Sequence, residues 1–332
     1  MIRSSFSDLF GLEQPIMNAP MGTAAVGALA AAVANAGALG MIGGSGSTPG
    51  MTPAERLRHE IAQAQSMTKG PFGVGFISTQ RSADGRLSSE ALQAIALDAG
   101  ATIVMHSFMV PADLVAEARR RGAKVICQVQ TVAMAREALD AGADVLIAQG
   151  YDGGGHVGSI GTFSIVPAIV DVAGTVPVLA AGGIADGRGL AAALMLGAQG
   201  ASLGTRFYAS GEAAAPAYVH ERLIEAGTDD TVWTLSYDVI RNADFGPTVA
   251  GRVVRNAFTD AWHNRDAESR AQAAQLVAQI DAAHEAGDAS QVSVWAGTAV
   301  GLVRDVEPAG AIVRGICSEA ERIIRARAAL LV

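Results

Sequence analysis

The sequence predicts an α/β chain that closes into a (β/α)8 barrel, with a mainly helical cap near its C-terminal end. Three observations predict it. Eight short apolar runs alternate with helical patterns, a glycine separates many of the helices from the next run, and the unusual residues cluster after the runs rather than before them. The 332 residues exceed the roughly 250 typical of one such barrel, which leaves a surplus for the cap.

The elements follow in order. The phrase helix, glycine, often alanine, then apolar run appears as Asn35-Ala-Gly-Ala-Leu-Gly-Met-Ile, Asp98-Ala-Gly-Ala-Thr-Ile-Val-Met and Arg121-Gly-Ala-Lys-Val-Ile-Cys. It returns as Asp140-Ala-Gly-Ala-Asp-Val-Leu-Ile and Leu196-Gly-Ala-Gln-Gly-Ala-Ser-Leu. Gly37, Gly100, Gly122, Gly142 and Gly197 stand where a helix ends in a left-handed residue. The run after each reads as a strand buried on both faces, the mark of a parallel sheet. With the runs that lack the phrase, strands start near Pro15, Ala38, Phe72, Thr102, Lys124, Asp144, Pro177 and Gly200. Helical patterns lie between them, as at 111–121 and 132–141. An eightfold alternation favours a closed TIM barrel over an open doubly wound sheet. Residues 1–210 are expected to form the barrel core, closed by a C-terminal helix at 307–332, and 211–306 the cap. Within the cap, 212–226 and 266–285 read as helices and 228–256 as irregular.

Composition narrows the function. No charge occurs between Glu13 and Glu55, but that stretch is broken by Asn18, Pro20, Asn35 and several glycines. A spanning helix wants about 20 large apolar residues in a row, so no membrane partner is expected. The N-terminus sets Arg3 against Asp8 and Glu13 and lacks an apolar core, so no signal peptide is expected. A net charge of −8, without a basic run, argues against nucleic acid. Cys127 and Cys317 are isolated thiols, consistent with a reducing cytoplasm.

The residues that could carry chemistry sit after the strands, the side of a barrel where chemistry occurs. Ala180-Ala-Gly-Gly-Ile-Ala-Asp-Gly-Arg-Gly follows the seventh strand and Ser202-Leu-Gly-Thr-Arg-Phe includes the end of the eighth. Backbone amides in such turns, with a helix N-terminus behind them, make an anion site, and turns after these two strands commonly hold phosphate. Gly182, Gly183 and Gly204 allow close approach and Thr205 adds a hydroxyl. After the sixth strand, Gly150-Tyr-Asp-Gly-Gly-Gly-His-Val-Gly is costly as a loop unless its backbone lies against a flat ligand while His156 projects into a pocket. Asp152 reads as turn chemistry. His106 either faces the pocket or sits at the core edge. Gly44-Ser-Gly-Ser-Thr-Pro-Gly has the wrong spacing for a dinucleotide fingerprint and reads as a flexible top loop. Trp295-Ala-Gly-Thr reads as core packing. With no HExxH and no Cys/His ligand spacing, no metal is expected.

These motifs resemble the nitronate monooxygenases, long called 2-nitropropane dioxygenases, along nearly the whole chain. The resemblance rests on Pro15-Ile-Met-Asn-Ala-Pro-Met-Gly, Ala148-Gln-Gly-Tyr-Asp-Gly-Gly-Gly-His-Val-Gly, Ala180-Ala-Gly-Gly-Ile-Ala-Asp-Gly-Arg, Leu203-Gly-Thr-Arg-Phe, Trp295-Ala-Gly and the closing helix. It implies an FMN cofactor, with Ala19, Pro20 and Met21 along the flavin ring and Gln128 at the ring or ribityl chain. Gly150 belongs to the same set, with Gly182, Gly183, Gly204 and Thr205 at the phosphate and His156 as catalytic base. It implies oxidation of alkyl nitronates by O2 to a carbonyl compound and nitrite, and allows for a homodimer. The alternative is an NAD(P)H-dependent FMN reductase of a quinone or enoyl thioester. The sequence departs from the family at Gly75, where asparagine is common, at Asp152-Gly153 in place of Glu-Ala, and at Thr298, where related reductases have glutamine.

Overall fold

The computed structural model describes residues 2–46, 48–81, 85–246 and 248–328. Ser47 of the top loop and residues 329–332, expected at the end of the closing helix, lie outside the described residues.

The barrel strands are β1 (Ile16–Asn18), β2 (Gly40–Gly43), β3 (Phe72–Ile77), β4 (Ile103–Ser107), β5 (Lys124–Val129), β6 (Val145–Gln149), β8 (Val178–Ala181) and β9 (Gly200–Leu203). They run parallel in the order β1-β9-β8-β6-β5-β4-β3-β2. A parallel bridge between Met17 and Leu39 joins β1 to β2 and closes the ring. The five glycines expected to end helices lie at φ between +80° and +93° (Gly37 +82°, Gly100 +90°, Gly122 +80°, Gly142 +93°, Gly197 +93°), where a Cβ would be strained.

Two packed layers result. Met17, Leu39, Met41, Ile103, Met105, Ile126, Ile147 and Leu179 fill the interior. Val74, Val104, Val125, Leu146 and Val178 face outward onto the helices. A helix at Ser5–Phe10, absent from the sequence reading, packs fully buried Phe6 among the interior residues near the strands' N-terminal ends. Its capping box between Ser4 and Ser7 is a local signal that could have revealed it.

The eighth helical position is filled from a distance. Only Thr205–Tyr208 follows β9 as helix. The long helix Ala309–Ala328 returns and packs between Gly187–Met195 and Gly27–Asn35. Gly187 permits the close crossing, since a Cβ there would lie 2.5 Å from the Ala320 amide nitrogen.

The segment between these helices differs from the expectation at 228–256. It contains β10 (Thr231–Thr234), a short helix at Ser236–Ile240 and β11 (Ala250–Val254). β10 and β11 pair antiparallel, and β11 also takes β7 (Gly155–Val157) from the glycine-rich loop after β6. The strands are too short to show a period, and glycine at 251 breaks what pattern there is. The helix expected at 212–226 begins only at Ala217, after Pro216, and the one at 266–285 divides at Gln272.

The seam between β1 and β2 is thin, and Asn18 reinforces it. Its Oδ1 accepts from the Met41 amide and its Nδ2 donates to the Met41 carbonyl, each at 2.8 Å and fully buried. Replacing Asn18 with alanine orphans both backbone groups, so unfolding stability should fall by about 2–5 kcal/mol. Urea titration of the ligand-free protein measures this, and a loss below about 1 kcal/mol would show that the seam does not depend on the amide.

Candidate active site

Side chains alternate along a strand, so the interior residues dictate what comes next at the barrel's top. Above Met105 on β4 the next inward position is Ser107, above Ile126 on β5 it is Gln128, and above Ile147 on β6 it is Gln149. With Ser202 of β9, these residues line a cavity of about 470 Å³, within the usual range for small-molecule sites.

The same parity sends His106 outward. It is fully buried, with Nδ1 2.9 Å from Ser78 Oγ and Nε2 2.8 Å from Gln93 Oε1. It is absent from the cavity wall, so the core-edge reading holds. Burial pushes its pKa down from 6.5 to about 4.

Turns after β1, β8 and β9 add to the wall: Ala19, Pro20 and Met21, then Gly182 and Gly183, then Gly204 and Thr205. Gly182 and Gly183 adopt φ of +103° and +74°. The amides of Gly182, Gly183, Gly204 and Thr205 donate to no acceptor among the described residues. Thr205 Oγ1 accepts from the Gly297 amide at 3.0 Å, which leaves its own proton free to donate. One expectation is corrected here. The helix Gly187–Met195 does not present a free N-terminus, because Asp186 accepts from Arg188 and Gly189 and Glu319 accepts from Gly187. What remains for an anion are the turn amides of Gly182 and Gly183 and those of Gly204 and Thr205 at the start of the short helix Thr205–Tyr208.

Gln128 Nε2 donates to Gln149 Oε1 at 3.1 Å, and Gln130 Nε2 donates to the same oxygen and to the His156 carbonyl. This chain ties the polar floor to the glycine-rich loop. Gly150, expected in the cofactor set, is not brought to the cavity wall. A Cβ there would fall 2.1 Å from Thr162 Oγ1, so its role is packing. Asp152 accepts from the Thr162 amide at 2.8 Å, as turn chemistry requires. The glycine at 154 is required by protein as well as by any ligand, since its Cβ would sit 2.6 Å from the Ala296 carbonyl carbon.

His156 lies on β7, opposite Gly251 of β11, and lines the cavity. Its ring stacks on Phe245 with centroids 3.5 Å apart and lies 5.1 Å from Trp295. Trp295 reaches this place because residue 251 is glycine; a Cβ there would come 2.3 Å from the indole. His156 Nε2 is 2.8 Å from Asp238 Oδ1, and Asp238 is 6% exposed. Burial also pushes the Tyr208 phenol at the cavity up to about 12, so it stays neutral.

Sequence reasoning missed Gln149, Asp238 and Phe245 as wall residues and read Trp295 as core. Gln149 was legible from parity alone. Asp238 was not, because nothing local distinguishes it and its partner lies 82 residues away.

Fold and cavity together define a barrel enzyme whose cavity is lined by unpartnered turn amides and by His156 of the glycine-rich loop, with the cap packed against it. Residues 3–319 match the model of the family described as nitronate monooxygenase, and the chain belongs to that family. Membership makes it a flavin-dependent oxidoreductase. It is similar to a nitronate monooxygenase of Neurospora crassa, with 36% identity over 345 residues, covering 93% of this chain and 90% of that protein. It is also 36% identical over 239 residues to the (3aS,4S,5R,7aS)-5-hydroxy-7a-methyl-1-oxo-octahydro-1H-indene-4-carboxyl-CoA dehydrogenase of Mycobacterium tuberculosis. That alignment covers 71% of this chain and 64% of that relative's length, less than two thirds. Among solved structures, FabK from Thermotoga maritima superposes with a TM-score of 0.86 at 32% identity, covering 99% of this chain and 100% of that one.

His106 yields a pH prediction. Its folded pKa lies below its unfolded value, so the neutral ring contributes stability that is full above about pH 6.5 and is lost as pH falls toward 4. The loss amounts to about 3 kcal/mol. Unfolding free energies of wild type and His106→Gln across pH 4–7.5 isolate it, the variant lacking this part of the acid-side slope. Parallel curves would show that His106 titrates normally.

Proposed function

We propose that the protein binds FMN and oxidises alkyl nitronates with O2, giving a carbonyl compound and nitrite. The observation that carries this reading is the set of four unpartnered backbone amides lining the same cavity as His156.

The residues present fit such a cofactor. Gly182, Gly183, Gly204 and Thr205 would hold the phosphate through N–H groups and one hydroxyl, donors that suit a dianion and ask for no counter-charge. Ala19, Pro20, Met21 and Gln128 would lie along the ring system and ribityl chain. The flavin, when bound, supplies the electron-accepting and oxygen-reducing chemistry. His156 orients the nitronate anion, or removes the α-proton when a neutral nitroalkane binds. The aromatic packing of Phe245 and Trp295 around its ring keeps water from that side.

A second reading, an NAD(P)H-dependent FMN reductase of a quinone or enoyl thioester, draws support from the likeness to FabK and to a CoA-thioester dehydrogenase. Steady-state NADH and NADPH oxidation separates the two, because a strict nitronate oxidase consumes almost none.

Purified protein should be yellow and release FMN, not FAD, on heating. The sharper test is Gly204→Ala. A Cβ there meets only Ala19 Cβ and Met21 Sδ, both at 3.7 Å, and φ is −98°, so the protein itself accommodates it. Gly183, at φ +74°, is strained by any side chain and discriminates less well. FMN affinity in Gly204→Ala should fall about 10- to 100-fold, the worth of about one hydrogen bond to a charged group, with the melting temperature of flavin-free protein unchanged. Wild-type FMN affinity would place the phosphate elsewhere.

His156→Asn should lower kcat/KM for neutral nitroalkanes by about 10²-fold or more, the usual size of a general-base effect. Turnover of preformed nitronates should fall less, and flavin content should hold. Unchanged kinetics with full flavin would remove His156 from the mechanism.

A further inference from the structure

We infer that Asp238 is a positioning residue that holds His156 in its Nε2–H tautomer, leaving Nδ1 as the atom that accepts the substrate's proton. The inference rests on the proposed nitroalkane chemistry for its last clause only; the tautomer stands on geometry.

A neutral imidazole carries one N–H donor and one bare acceptor. An ionised carboxylate can only accept, so a 2.8 Å contact from Asp238 Oδ1 to Nε2 places the proton on Nε2. Nδ1 has no partner among the described residues and is not sealed from solvent. The ring cannot readily turn to exchange the two nitrogens. Phe245 stacks on it at 17° between planes, Phe108 meets it edge-on at 5.9 Å, and Trp295 lies beside it. Its backbone is pinned by pairing with Gly251 and by Gln130 Nε2 donating to its carbonyl.

Asp238 is fixed as firmly. It sits inside the short helix Ser236–Ile240, and its carbonyl accepts from the Arg241 and Ala243 amides. Apart from His156 no side chain among the described residues donates to its carboxylate. Arg241 also lines the cavity, three residues along. A carboxylate this buried with a single donor is spent on orienting that donor.

The step then balances without further groups. The C–H bond beside the nitro group breaks, the proton passes to Nδ1, and the electron pair stays on the substrate as the nitronate. The resulting imidazolium already directs its Nε2–H at Asp238.

Two measurements test this. In 15N-histidine spectra of wild-type protein, with His156 among six histidines assigned by its absence in His156→Asn, Nε2 should be protonated and Nδ1 bare. Protonated Nδ1 with bare Nε2 overturns the proposal whatever the substrate. In Asp238→Ala the tautomer preference should relax, and kcat/KM for a neutral nitroalkane such as nitroethane should fall about 10-fold or more. The value for its nitronate should change much less, with flavin retained. An equal loss for both forms, or none for either, also overturns it. If Asp238→Ala does not fold, the wild-type spectrum alone decides. If wild type turns over neither form, the proposed function fails while the spectrum still judges Asp238.

Discussion

The arrangement at the cavity depends on how β1 meets β2. A parallel barrel gains its rigidity by having no free edge, yet β1 contributes only three residues and touches β2 through one backbone bridge. Asn18 supplies the missing rung by serving both polar groups of Met41. Its next residue, Ala19, donates to the Leu203 carbonyl at the end of β9, which ties the first turn to the turn carrying Gly204. Pro20 then lies so close over β3 that a Cβ at Gly75 would be 2.3 Å from its ring. A shift at the seam would move Pro20 and Gly204 together, and with them two of the surfaces a flavin would touch.

How much of this was legible follows from the range of the forces involved. The barrel strands start within two residues of their expected positions, because a helix-ending glycine followed by a doubly buried strand is a local signal. The cradle glycines were legible for the same reason, since close backbone approach leaves its mark in residue type. Parity along strands is equally local. It separates Gln128 and Gln149 from His106 and Cys127, although the sequence reading left His106 open and did not single out Gln149. What could not be read is what the cap contributes. β11 pairs with β7 across 93 or more residues, and none of β7, β10 and β11 carries a period long enough to declare itself.

The glycine-rich loop has a cause that its own sequence does not declare. Three glycines before a histidine suggested a backbone pressed against a ligand. Part of the pressure comes from the protein: Gly154 abuts Ala296, and a Cβ on Gly297 would lie 2.5 Å from the Asp152 carbonyl. Two irregular segments, far apart in sequence, are packed backbone to backbone, and Thr298 donates its amide to Asp152. That contact brings Trp295 to His156. Gly154 is therefore glycine so that the cap can close on the loop, whereas Gly150 is glycine because Thr162 lies against it.

The cavity divides its labour between two kinds of structure. The cradle is built of backbone amides on turns anchored by barrel strands, so its geometry depends little on side-chain rotamers or on protonation. Under the proposed function the proton-handling end would be built of side chains, His156 and Asp238, that the cap brings together. Fixed dipoles suit a cofactor that stays bound through many turnovers, because they hold a charge of constant sign. A histidine held by a carboxylate suits a substrate whose charge changes during the reaction. Selection on substrate can then act on the cap, through residues such as Arg241 and Phe245, without disturbing the cradle.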